Sequence, residues 1–456
     1  MTDVTATAAL AVGGGVLGVM YVLSARAVNP VALPALILFA AVLVLAFRRP
    51  EIGIAFELVI VPAATFGLVS GSGSLSSLLL ALSAYLTAAA YLCTRAHSGR
   101  SRGNAIGDWL ALFIGSAFLS LLQAQDSSAA LHVVGRLVTA GLLFAATTMA
   151  VRDRRSLLWV LGAMMTAAGL VGAHALLDYS SGAIPSVGFI TSSGQLVGRA
   201  TAGFGQPNQL GGFLVVLVPI VVGGGLVARR WRSGFWLAAA LAAFGVYVSF
   251  SRGALIGLAV VPFVFLRSWR TWLLGPALGL LAYVATPAAL TERFATLTSS
   301  GAEIATRSDI WHSAVTIWEH HPLLGVGVGG FPIAYSTVNI PGKLYLPNTI
   351  FAPPPHAHNL VLNILAEQGL IGLAAFVGLM IIATRTTLRL RRAPEPGYSV
   401  LGSALLASLI AFFVHNLFDV TMFDSVTGPY VMVLLALVVA LDRMAAGGVP
   451  LAAKPG

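Results

Sequence analysis

The sequence predicts an all-α, polytopic membrane protein with about 12–14 transmembrane helices. Three observations carry that prediction. Of the 456 residues, 57% are hydrophobic and only 9% charged, whereas a soluble domain carries about 25% charged residues. Apolar runs of roughly 18 residues, each able to cross the hydrocarbon core of a bilayer, recur along the whole chain, and the mean hydropathy is +0.89. The period-two alternation of a membrane β-barrel is absent, so the backbone has to satisfy itself within helices.

Taken in order, the expected spans are 6–23, 31–47, 52–70, 75–93, 106–122, 131–150, 156–177, 208–228, 233–250, 253–268, 271–288, 357–384, 400–418 and 429–446. The first two and the pair over 253–288 are the weakest, which gives the range of twelve to fourteen. The opening MTDVTATAAL has no basic n-region, so the first apolar run is expected to stay in the membrane rather than be cleaved. Two connecting segments, 178–207 and 289–356, are longer than simple connectors, and loops of that length are usually functional or disordered. The second contains DIWHSAVTIWEHHPLLG and is expected to form short helices over the membrane surface. Three regions follow: an N-terminal bundle over 1–288, a large loop over 289–356, and C-terminal helices over 357–456. The single cysteine, Cys93, excludes a disulfide framework and a thiolate metal site.

The isoelectric point near 10.2 invites a nucleic-acid reading, but the positions of the basic residues oppose it. Nineteen of the 26 Lys and Arg sit in alternate short loops and the C-terminal tail, in RRPE, TRAHSGRSR, VRDRR, RRWR, RSWR and RTTLRLRR. The positive-inside bias assigns these, and both termini, to the cytoplasm. The remaining seven, among them Arg136, Arg199, Arg252 and Arg307, fall on the opposite, outer side. Arginines where topology disfavours them, beside polar motifs, suggest a site for a phosphate-bearing ligand. Any one alone could snorkel or anchor on lipid headgroups.

The motif PPPHAHNLVLNILAEQGLIGL, residues 353–373, holds the densest polarity. Its prolines force an extended approach, so a helix should begin near His356 to His358. Asn359, Asn363 and Glu367 recur every four residues and make one polar stripe, expected to face a cavity or the bundle interior. Gly369 and Gly372 would admit a neighbouring helix closely. A histidine in the first helical turn feels the positive end of the dipole, which favours the neutral form able to accept a proton. Capping explains His358 and Asn359 equally well from the residues alone.

Further segments resemble this one in polarity. GRATAGFGQPNQLGGF (198–213) carries Arg199 into a span starting at Pro207 and Asn208, where Asn208 can cap the helix; an ordinary loop-to-helix turn explains the same residues. SFSRG (249–253) puts Arg252 at a tight turn between spans, and Arg136 lies one helical turn from His132 inside a span. Arg307 opens the stretch containing His312, His320 and His321; a surface salt bridge to Asp309 or Glu303 is the plain alternative, and the histidines lack ligand spacing for a metal. HNLFD (415–419), with Asp419 and Asp424, could line the same cavity or simply cap helices.

Together these motifs resemble the O-antigen ligase (Wzy-C) superfamily. His358-Asn359, nine residues, Gly369, two residues and Gly372 fit its H-[NSQ]-x9-G-x-x-[GTY] pattern. The G-R-x-x-x-G-F-x-x-P-N stretch at 198–208, the S-R-G turn at 251–253, and the R-S-x-x-W…H-P-x-x-G-x-G-x-G-x-F run at 307–331 follow in the family's order. The resemblance implies a membrane glycosyltransferase of GT-C-like architecture in the bacterial inner membrane, with a periplasmic active site. It implies transfer of glycan from undecaprenyl diphosphate to a hydroxyl of lipid A–core oligosaccharide, with inversion. His358, Arg252 and Arg307 are then the expected catalytic residues. Arg136, Arg199, Asn208, His356, Asn359, Asn363 and Glu367 are expected to bind substrate, with no metal or other cofactor and no nucleic-acid partner. The short C-terminus favours the lipopolysaccharide ligase over a protein O-oligosaccharyltransferase. An O-antigen polymerase shares the donor, and a lipid or sugar-phosphate transporter remains as an alternative of another class.

Overall fold

The computed structural model of the protein describes residues 49–63, 103–181, 188–190, 196–265, 301–338 and 354–451. Within them the helices are α1 (Pro50–Ala63), α2 (Ala105–Ser120), α3 (Ser127–Ala150), α4 (Arg154–Ser180), α5 (Pro207–Val227), α6 (Arg232–Val248), α7 (Arg252–Phe265), α8 (Gly301–His320), α9 (Phe331–Thr337), α10 (Leu360–Arg391), α11 (Pro396–Asn416) and α12 (Thr427–Ala446). A short antiparallel hairpin, β1 (Gly188–Ile190) with β2 (Leu196–Gly198), precedes α5; the sequence reading had no counterpart for it.

Among the described residues, seven helices are long and apolar enough to cross a membrane: α2 with its following 3-10 turn, α3, α4, α5, α10, α11 and α12. α7 is apolar but shorter. This is the all-α polytopic membrane architecture expected from composition. The spans expected at 6–23, 31–47, 75–93 and 271–288 lie outside the described residues, as does most of the 339–356 stretch. α8 and α9 are the short helices expected in the large loop.

Side-chain caps set several helix starts. Asn104, Asp126 and Asp153 accept backbone N–H groups at the starts of α2, α3 and α4, satisfying donors that the first turn leaves unpaired. At Asp153 the carboxylate is held below its ordinary range, chiefly by the N–H of Ser156. α5 is the most enclosed span, packed by α4, α6, α7 and α11. Small residues bring the surrounding helices together: Gly172 of α4 lies on the backbone of Leu241 in α6, and Gly257 of α7 on that of Ala411 in α11. Without a hydrophobic drive between helices in lipid, such backbone proximity supplies the dispersion contacts that hold them together.

Because the helices alternate in direction, their ends sort into two groups. The Arg-rich turns at 152–155, 229–232 and 385–392 collect at one end of the bundle. The starts of α3, α5, α7, α10 and α12, and the ends of α4, α6 and α11, collect at the other. The described parts of the polar motif segments, around Arg199, Arg252, Gly327, His358 and Asp419, sit at this second end.

α10 departs from the expected single, straight span. It breaks at Gly369, where φ is 65° and ψ −163°, a region open essentially to glycine alone. The segment 322–327 fills the break. Leu370 and Ile371 donate to the carbonyls of Pro322 and Leu323, while Ala366 and Glu367 accept from the N–H groups of Val326 and Gly327. Four backbone groups beside the kink thus find partners in the inserted chain, as a low-dielectric setting demands. The part after the kink, 370–391, is about 33 Å long and spans a bilayer core by itself. The polar stub 360–368 therefore need not lie in hydrocarbon at all.

Candidate functional site

The site is built on the chain just before α10. Asn359, not a histidine, is the N-cap: its Oδ1 accepts the N–H of Leu362 at 3.1 Å, and its Nδ2 donates to the carbonyl of Leu417. His358 therefore stands outside the first helical turn where it was expected, with φ at 50°. Among the described residues the other non-glycine positions with positive φ are Ala202 and Phe250. Each lies in one of the motif segments, and left-handed backbone at such places characteristically marks a functional constraint.

The His358 backbone N–H donates to His356 Nδ1 at 3.2 Å, and the two rings meet edge to face with centroids 4.4 Å apart. That bond leaves the neutral His356 proton on Nε2. Nε2 lies 3.6 Å from Asp419 Oδ1, and His358 Nδ1 lies 3.7 Å from the same oxygen. The Asp419 side chain is only 7% exposed, and its Oδ1 accepts the N–H of Val420. Both histidines thus face one buried carboxylate. At 3.7 Å the His358–Asp419 contact is an ion-pair separation rather than a formed hydrogen bond.

The electrostatics follow from burial. Burial pushes His356 down to about 4; Asp419 opposes this, while His358 and the positive charge of Arg307 reinforce it. Burial alone would raise Asp419, but the surrounding imidazoles of His358, His356 and His415 outweigh it and hold the carboxyl below its ordinary range. At neutral pH the centre is an ionised carboxylate beside a neutral His356.

The other expected residues divide into two groups. Arg307 stands within electrostatic reach of His356 and His415 and has no hydrogen-bond partner among the described residues. Arg252 begins α7, whose Gly253 lies against the carbonyl and ring of His415. Arg136 is exposed on α3, at 3.4 Å from the carbonyl of Phe423, beside the loop that carries Asp419. Arg199 is braced within the protein: its Nε donates to the Ser249 carbonyl and its Nη2 to Asn208 Oδ1, at 2.9 and 2.8 Å. Asn208 consequently does not cap α5, whose N-cap is Gln206. The loop between them is secured by Asp178, which accepts the N–H groups of Thr201 and Ala202.

The lower stripe is enclosed rather than open. Asn363 Oδ1 accepts the Ala357 N–H and its Nδ2 donates to Glu367 Oε2, while Glu367 Oε1 accepts the Phe331 N–H. Both side chains are buried, and their polar groups fix the loops at 329–331 and 357 on α10. Gly372 meets α2 near Ser116, as a packing glycine should, whereas Gly369 meets the backbone of Leu323, a loop rather than a helix.

Asp419 is the residue that sequence reasoning left unassigned. The available signal was HNLFD at the end of a span, but nothing in linear spacing joins Asp419 to the histidines 61 and 63 positions earlier. Its neighbour Asp424 does cap: it accepts the N–H groups of Val426 and Thr427, and burial pushes it up to about 6. His320 bonds the Thr316 carbonyl of its own helix. Among the described residues His356, His358 and Asp419 form the one cluster of three metal-ligating side chains.

Residues 237–377 match the O-antigen ligase (Wzy_C) family. The family likeness carried by the motifs is thereby shown over that segment, which runs from α6 past the kink of α10 and includes Arg252, Arg307, His356 and His358. It supports ligase or related polymerase activity by a membrane protein of glycosyltransferase type. Asp419 and Arg199 lie outside the matched O-antigen ligase segment. No curated protein matches the chain.

Proposed function

We propose that this O-antigen ligase domain transfers a glycan from undecaprenyl diphosphate to a hydroxyl of lipid A–core oligosaccharide on the periplasmic face of the inner membrane. The pairing of His358 with the buried Asp419 carries the reading. Asp419 favours the tautomer with a proton on Nδ1, which leaves Nε2 to accept the acceptor's hydroxyl proton. It also stabilises the imidazolium that results, as the carboxylate of a nucleophile–base–acid array does. The 3.7 Å separation would shorten as positive charge develops on the ring.

The acceptor oxygen attacks the anomeric carbon as the bond to the diphosphate oxygen breaks, and the configuration inverts. Diphosphate leaves readily, so charge stabilisation matters more than proton donation to it. Arg307 and Arg252 would meet that charge, with Arg136 at the rim; Arg199 acts by bracing the turn before Arg252. No metal is required by this scheme. Clustering of the arginine-poor, motif-bearing helix ends opposite the Arg-rich turns supports a periplasmic site with cytoplasmic termini. The enclosed site at one end of the bundle, rather than at midplane, disfavours transport.

The test is transfer from a defined lipid-linked glycan to purified lipid A–core by the solubilised protein. His358→Ala should lose about 10²–10⁴-fold in rate while remaining folded. Transfer by the wild type to a second lipid-linked glycan, and not to lipid A–core, would instead assign a polymerase.

A further inference from the structure

We propose that His356, His358 and Asp419 form a transition-metal site, and that occupation by Zn²⁺ inhibits the enzyme reversibly. The metal-binding part stands on geometry alone; the inhibition rests on the reading of His358 as base.

Tetrahedral zinc holds nitrogen and oxygen ligands at about 2.0–2.2 Å, which sets ligand atoms about 3.3–3.5 Å apart. Asp419 Oδ1 lies 3.6 Å from His356 Nε2 and 3.7 Å from His358 Nδ1, and the three atoms fall within 4.8 Å of one another. Closure by a few tenths of an ångström on each contact to Asp419, with the two imidazole nitrogens drawn together from within 4.8 Å, therefore completes a two-histidine, one-carboxylate face. The carboxylate is buried and already ionised, so the anionic ligand needs no proton removed. Its Oδ1 is oriented by the Val420 N–H, an outer-shell bond of the kind that fixes metal ligands. His358 Nδ1 is buried and lacks a hydrogen-bond partner among the described residues. Both histidine side chains retain exposure, 21% and 24%, which leaves a path for an ion and a position for water or substrate oxygen.

Two features keep the site weak, and so inhibitory rather than resident. A metal on His356 Nε2 moves that ring's proton to Nδ1, which ends the bond from the His358 N–H. The charge of Arg307 also reaches His356 and opposes a dication. The two imidazole ligands select zinc, cobalt and copper over magnesium. A metal on Nδ1 of His358 replaces the proton that Asp419 holds there, and its charge disfavours protonation of Nε2, so the base is silenced without leaving its place.

The experiment uses full-length protein in detergent, purified through a tag without histidine. Titration with Co²⁺ should produce the intense visible bands of a tetrahedral ion, and Zn²⁺ should displace them. Asp419→Asn and His356→Ala, each monodisperse and as heat-resistant as wild type, should weaken Co²⁺ binding at least tenfold; His320→Ala should not. Micromolar Zn²⁺ should stop glycan transfer, chelator should restore it, and Mg²⁺ should have no effect. Absence of the bands, or bands unchanged in both ligand variants, overturns the site. Bands that respond to the variants while transfer continues under saturating Zn²⁺ keep the metal site and remove His358 from the role of base.

Discussion

Gly369→Ala is the sharpest test of how the fold delivers His358. A Cβ at this position would lie 2.3 Å from the carbonyl carbon and oxygen of Leu323 and 2.6 Å from the nitrogen of Leu324. These are backbone atoms, so no rotamer change relieves the overlap. The φ of 65° with ψ of −163° adds about 1–3 kcal/mol of strain for any residue bearing a Cβ. Displacing the inserted chain also sacrifices at least the bonds from Leu370 and Ile371 to Pro322 and Leu323, each worth about 0.5–1.5 kcal/mol net. The sum is about 2–6 kcal/mol, a large part of the ordinary 5–15 kcal/mol stability of a folded protein. The measurement is the fraction of solubilised protein that stays monodisperse after a series of heating steps, with glycan transfer read on the same samples. Gly135→Ala, on α3 with nothing within 4 Å of its Cβ, is the matched control and should change stability by less than about 1 kcal/mol. If Gly369→Ala survives heating as well as Gly135→Ala and retains transfer, the inserted segment does not hold the helix break, and the account of the motif's first glycine is wrong.

Asp419→Asn should depress the turnover rate more than it raises KM, since the amide cannot stabilise the imidazolium; steady-state kinetics with varied acceptor would separate the two, and an effect confined to KM counts against the pairing. Arg252→Ala and Arg307→Ala should weaken use of the lipid-linked donor, whereas Arg389→Ala, an exposed partner of Asp442 at the Arg-rich end, should cost at most about 1 kcal/mol of stability and no transfer; equal loss of transfer in all three contradicts the two-ended arrangement. Asp178→Ala releases the N–H groups of Thr201 and Ala202 and should impair donor use through Arg199, a loss visible as raised donor KM. Stability should respond to acid in two opposed ways. His356 sits at about 4 in the fold against an ordinary 6.5, so the unfolded chain binds more protons between those values and stability rises with pH across them. Asp424, raised to about 6 from 3.8, is protonated more readily when folded, so its contribution is lost as pH rises through that window. They act in opposite directions, and His356→Gln should remove the first: its heat resistance should fall more steeply than that of the wild type as pH rises from 4 to 6. A wild-type profile rising steeply there with the variant unchanged would refute the assignment.

Much of the architecture could be read from the sequence because membrane spans are long, apolar and nearly local in their signal. The starts of α5 at Pro207 and α7 at Arg252 were visible for the same reason. The motif residues at 252, 307 and 358 are carried by types rare in such a chain, so they stood out before any contact was known. What the sequence hid was how the backbone is spent. The four-residue recurrence of Asn359, Asn363 and Glu367 marks a stripe that faces a cavity or the bundle interior, but spacing could not show that these side chains anchor Leu417, Ala357 and Phe331. The break at Gly369 was invisible because an apolar run reads as continuous helix, and only the arrival of residues 322–327 makes the unusual dihedral affordable. Asp419 was missed because pairing across separate helices leaves no spacing to count.

The broken helix also turns the interval between Asn359 and Gly369 into a ruler. One end is pinned where Asn359 bonds the Leu417 carbonyl, the other where Gly369 meets Leu323. A residue added between them would advance one end by about 1.5 Å and turn it by about 100°. Either the imidazole swings away from its carboxylate or the glycine is replaced at the break by a residue with a Cβ. Substitution by other apolar residues is tolerable at several places along this stub, but a change in its length is not. The chain can vary its lettering here far more freely than its count.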